Sequence, residues 1–180
     1  MRYPALILAL AGAALLTGCS SLISLDPFVT EDQAASDPNL LGVWQGAGGD
    51  DKDLTVIRQK GSAYTIRYFG NDKDMSLGFE GRLLRVGDAE FMDLASTNDD
   101  SFAIPVHMLA RVWLDGGALK WVFLDSDWFK DQARQVLGTR AAGDRTMITA
   151  KSEAMAQFVK KFGADPRAYS GEMKEFVRVQ

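Results

Sequence analysis

From about residue 40 to residue 125, apolar and polar side chains exchange places at every second position, the spacing of β-strands with one buried face. Strands are predicted at about 40–46, 53–60, 63–69, 75–86, 89–95, 105–115 and 118–125. In the third, Tyr64, Ile66 and Tyr68 alternate with Thr65 and Arg67. In the sixth, Val106, Met108, Ala110, Val112 and Leu114 alternate with His107, Leu109, Arg111 and Trp113, a second set too apolar for a purely solvated face. Asp115-Gly116-Gly117 is a hairpin signal, because Gly accepts the positive φ of tight turns; Gly70-Asn71-Asp72 and Val86-Gly87-Asp88 are similar. Links this short make consecutive strands antiparallel neighbours.

The period then becomes helical. A helix is predicted from Ser126, as its cap, through Asp127, Trp128, Phe129, Ala133, Val136 and Leu137 to a stop at Gly138. A second, over roughly 151–162, puts Met155, Phe158, Val159 and Phe162 on one face and Lys160-Lys161 in its last turn, before Gly163. Thr146–Thr149 and Glu175–Val179 can add short strands. The expected fold is mainly β (α+β): an antiparallel meander forming a barrel or strongly curved sheet, with one or two C-terminal helices packed on it. Residues 39–180 make one such domain. Residues 20–38 are rich in Ser, Asp and Ala, hold Pro27 and Pro38 and lack sustained periodicity, which predicts a flexible tether.

The start of the chain has a different pattern. After Met1-Arg2-Tyr3 comes an uncharged apolar run, Ala5 to Leu16, whose helix would rise roughly 18 Å against a hydrocarbon core of about 30 Å. It is too short to span and fits an export signal removed on maturation. Leu16-Thr17-Gly18-Cys19 resembles the lipobox of bacterial lipoproteins. That resemblance implies cleavage between Gly18 and Cys19, a diacylglyceryl group on the Cys19 sulfur and an acylated new amino terminus. It divides the chain into a signal peptide at 1–18, a lipidated tether at 19–38 and the domain at 39–180. Two or three acyl chains anchor a protein stably where one does not. Ser20-Ser21 follow the cysteine, with no Asp at the second position; among lipoproteins of Gram-negative bacteria this implies the outer membrane, facing the periplasm.

Gly42-Val43-Trp44, heading the first predicted strand, is similar to the Gly-X-Trp signature of lipocalins and related calycin barrels. In that family the Trp closes one end of the barrel, and the interior carries small apolar ligands. Two helices with a strand between them depart from a plain eight-stranded lipocalin.

Composition narrows the choice of partners. The chain carries 20 basic and 24 acidic side chains, a net charge of −4 that loses one more positive charge with Arg2, so no face suits the counterion displacement that nucleic acid requires. Cys19 is the only cysteine, which rules out a disulfide within the chain.

Candidate chemistry is sparse. His107 is the only histidine, and with no cysteine beside it the common zinc ligand sets are excluded. Its partner in any acid–base reading is a carboxylate such as Asp93, within Phe91-Met92-Asp93-Leu94; the alternative is a hydrogen-bonded strand histidine. Asp125-Ser126-Asp127 lacks the ligand spacing of a calcium loop and suits helix capping, and Gly46 to Asp53 lacks the Gly-Lys-Ser/Thr of a phosphate loop. Trp44, Trp113, Trp121 and Trp128 are candidates to line a ligand site, the alternative being that they belong to the core. No cofactor or metal motif is present in the sequence. The expected function is a non-catalytic binding or envelope-assembly module held to the membrane by its lipid, with an envelope protein or a small apolar ligand as partner. The alternatives are a calycin-type carrier and an enzyme built on His107.

Overall fold

A computed structural model describes residues 22–48, 53–70, 76–97, 104–132, 137–143 and 145–179. The signal peptide, Cys19, the link at 49–52, the turn at 71–75 and the predicted helix end at 133–136 lie outside the described residues.

The strands are β1 (Leu22–Ser24), β2 (Gly42–Gly46), β3 (Leu54–Lys60), β4 (Ala63–Phe69), β5 (Ser76–Val86), β6 (Ala89–Thr97), β7 (His107–Asp115), β8 (Ala118–Phe123), β9 (Thr139–Ala142), β10 (Arg145–Ile148) and β11 (Lys174–Arg178). The helices are α1 (Ser126–Gln132) and α2 (Ser152–Phe162). Strands β2 to β8 form the antiparallel meander that alternation predicts. The β6–β7 pairing and β11, inserted between β8 and β2, close it into an eight-stranded barrel compatible with a lipocalin-like fold. Closure pairs every strand on both sides and leaves the ring without an edge. The β7–β8 hairpin turns at Gly116 and Gly117, both at positive φ (59° and 86°), as the glycine pair predicts.

Two apolar cores share one wall. The inward set includes Trp44, Ile57, Tyr64, Ile66, Leu83, Met92, Leu94, Val112, Leu119, Trp121 and Phe176. The outward set takes Leu84, Phe91, Leu109 and Val122 from β5–β8 and covers them with Phe129 of α1 and with Met155, Phe158 and Val159 of α2. This explains why the His107, Leu109, Arg111, Trp113 parity is apolar: it faces helices as well as water. Trp128 joins the outward core, between Phe158 and Phe162. Asp125, rather than Ser126, caps α1, its Oδ1 accepting from the backbone N–H of Asp127 and Trp128 at 2.9 and 2.8 Å.

The segment expected to be a flexible tether is instead part of the domain from Leu22 onward. β1 pairs in parallel with β10 and meets β7 through Ser24 and His107. Phe28 and Val29 are buried in the outward core, and Ala35 bridges to Leu83 of β5. Leu40 then plugs the lower end of the barrel. There Trp44 Nε1 donates to Leu40 O at 3.0 Å, and the Arg178 guanidinium stacks 4.2 Å above the Trp44 ring while donating to the carbonyls of Asn39 and Leu41. Trp44 thus closes one end of the barrel. The tether expectation failed because Ser, Asp and Pro outnumber the few apolar residues that anchor this strap.

Candidate functional site

With the lower end closed by Leu40, Trp44 and Arg178, the other end of the barrel is the mouth. There β2, β4, β6 and β8 finish and β3, β5, β7 and β11 begin. Register places Tyr68, Leu77, Met108, Phe123 and Lys174 on its inward rungs, and Thr55, the partner of Trp44, deeper in the barrel. Below them the barrel is filled: a Cβ added to Gly81 would stand 2.9 Å from both Ile66 Cδ1 and Met92 Sδ. The mouth side is different, with Leu77 43% and Phe123 41% exposed although both point inward.

A cleft of about 360 Å³ opens at this rim, where β8 ends beside β1. Its apolar walls are Leu22, Met108, Leu109, Phe123 and Leu124; its polar groups are Asp125, Ser126, Glu172 and Lys174. Burial raises the Asp125 carboxyl, but hydrogen bonds from the Trp128 N–H, the Ser170 hydroxyl at 2.8 Å and the Asp127 N–H outweigh it and hold the group below the usual carboxylate range. Lys174 Nζ lies 2.9 Å from Glu172 Oε1. Inside the mouth, the Tyr68 hydroxyl donates to Asp53. Thr55 Oγ1 is fully buried and meets no hydrogen-bond partner among the described residues, a state that costs free energy until some group pairs with it. An apolar cleft with a few convergent polar groups is the form that small-molecule sites take. The larger groove at the closed end, about 430 Å³, is more polar and crossed by the Arg85–Glu90 ion pair at 2.6 Å.

The structure brings His107 and Asp93 together, but away from the mouth cleft. His107 Nδ1 lies 3.0 and 3.2 Å from the two Asp93 carboxylate oxygens, and the Val29 N–H donates to Asp93 Oδ2 at 3.3 Å. Ser24 stands opposite His107 in the β1–β7 pair, yet its hydroxyl donates to Met155 Sδ at 3.4 Å. Asp93 is 1% and His107 9% exposed, and neither lines the mouth cleft or the groove at the closed end. An acid–base pair acts only where substrate reaches it. This one ties β6, β7 and the strap to one another. Asp93→Ala is expected to lower unfolding free energy by about 2–3 kcal/mol, because the Val29 N–H and the His107 ring nitrogen lose their buried acceptor. Asp93→Asn, which still accepts, is expected to lose less. Urea unfolding of both variants measures this, and a wild-type midpoint for Asp93→Ala would remove the tie.

The three strand tryptophans separate by parity. Trp44 lies at the closed end, Trp121 in the packed interior one rung below Phe123, and Trp113 on the outward wall beneath the Arg111 guanidinium, 5.7 Å from its ring. Among the described residues, no group of three or more His, Cys, Asp or Glu could hold a metal ion, and no helix is long and apolar enough to cross a membrane. Sequence reasoning missed Thr55, Phe123 and Lys174. Their period-two parity was legible, but which rungs stay unfilled depends on the packing at Gly81. The chain matches no protein-family profile, no curated protein and no solved structure.

Proposed function

We propose that this chain is a lipid-anchored, non-catalytic binding protein of the bacterial envelope, facing the periplasm from the outer membrane, and that its barrel takes a small amphipathic ligand at the mouth. The observation that carries the reading is the pair of inward-pointing but exposed side chains, Leu77 and Phe123, above a packed floor that holds the unpartnered Thr55 hydroxyl. Such a site buries an apolar group against Phe123, Met108 and Leu124 and pairs a polar one with the rim. The filled middle of the barrel favours a ligand seated at the rim over one enclosed deep in a calycin-type cavity.

The apolar dye N-phenyl-1-naphthylamine provides the test, added to the purified full-length lipoprotein in detergent below its critical micelle concentration. Wild type should enhance dye fluorescence saturably. Phe123→Asp should bind about tenfold more weakly, a loss of roughly 1.4 kcal/mol, because it puts a charge where the apolar group sits. Equal affinity in the two proteins, or no saturable enhancement in wild type, would overturn the reading.

A further inference from the structure

We propose that the barrel mouth faces the bilayer, so that its rim rests on the lipid surface that holds the anchor. This rests on the lipid-anchor reading above and adds an orientation to it. Leu22, the first residue of β1, lines the mouth cleft, and only two residues separate it from Cys19. Three peptide steps reach roughly 10 Å at full extension. The lipid attachment point therefore lies within that distance of the cleft wall. β7 has nine residues, so the closed end stands roughly 20 Å farther along the barrel axis at ordinary strand rise and tilt.

The distribution of exposed apolar side chains agrees. Leu54, Phe69, Leu77, Ile104, Phe123 and Met173 all lie at the mouth end, between 37% and 70% exposed, whereas the closed end offers Leu114, Val177 and Val179. A rim of this kind partitions into the interface between headgroups and acyl chains. The chain is net acidic, at −4, so the attraction is apolar and a zwitterionic surface suits it better than an anionic one. In this orientation an amphipathic ligand passes between bilayer and barrel without crossing open water.

The test places a polarity-sensitive fluorophore on single cysteines in the full-length lipoprotein, whose Cys19 sulfur is alkylated by its lipid. Ile104→Cys and Met173→Cys report on the mouth, Ser62→Cys and Asp88→Cys on the hairpins at the closed end. Each protein is reconstituted into phosphatidylcholine–phosphatidylethanolamine vesicles with and without a lipid-borne nitroxide quencher. The mouth probes should shift to the blue and be quenched several-fold more than the closed-end probes. Flotation of the same vesicles separates two failures. Protein that does not float refutes the anchor and the orientation with it. Protein that floats with equal quenching at both ends, or stronger quenching at the closed end, refutes the orientation and leaves the anchor standing.

Discussion

Trp44→Ala is expected to lower unfolding free energy by about 3–5 kcal/mol, the largest loss of any single truncation in the barrel. The indole is 1% exposed and occupies the closed end. Its removal opens a void between Leu40 and the inward core, strands the Leu40 carbonyl and takes away the ring on which the Arg178 guanidinium lies. The surrounding strands are fixed by closure of the ring and have little freedom to collapse into the space. Trp44→Phe keeps most of the volume and should recover more than half of the loss. Chemical denaturation followed by circular dichroism measures both. An alanine variant within about 1 kcal/mol of wild type would mean that Leu40 and Arg178 close the barrel without the indole.

The second large effect concerns a residue outside every predicted element. Phe28→Ala should cost about 3–5 kcal/mol, as a core phenylalanine does, although Phe28 lies where the sequence predicts a flexible tether. Its side chain is 1% exposed and belongs to the outward core with Leu84, Phe91 and Phe129. Its neighbour Val29 supplies the N–H that Asp93 accepts. Loss of the ring should therefore loosen the strap as well as leave a cavity, and amide exchange at Ser24 and Val29 should accelerate more than at Leu94 in β6. If Phe28→Ala melts with wild type, the strap is a passenger and the domain begins near Asn39 after all.

These two sites show what was legible in the chain. Period-two patterning placed β2 to β8 within a few residues, because runs of β-branched, aromatic and aliphatic residues are separated there by Gly, Asp and Asn. It also sorted Trp44 from Trp113 once a closed ring assigned the parities to inside and outside. Alternation cannot show itself in Leu22–Ser24 or Thr139–Ala142, which span only three and four residues. The pair Phe28-Val29 is too short to register above the Ser, Asp and Pro around it. His107 and Asp93 were named from sequence because each interrupts an apolar strand, and the β6–β7 register explains their meeting: Ala95 opposes His107 and Asp93 opposes Leu109, so the two polar side chains are diagonal neighbours. Their seclusion depends on the strap and could not be read from the strands alone. The mouth cleft was the least legible, since it arises where β8 and β1 diverge and its walls come from four separate stretches of chain.

The place of β11 has a consequence for synthesis. The strand that joins β8 to β2 is Lys174–Arg178, the last ring strand to be made, while β2 is made before any other strand of the ring. A chain grows and emerges from its N-terminus, so β2 to β8 exist for the whole of α1, β9, β10 and α2 as an open sheet with unpaired edges on β2 and β8. Open edges recruit neighbouring chains. No fragment that stops short of residue 174 can complete the ring, and a nascent chain remains competent to thread, or to aggregate, until residues 174–178 arrive.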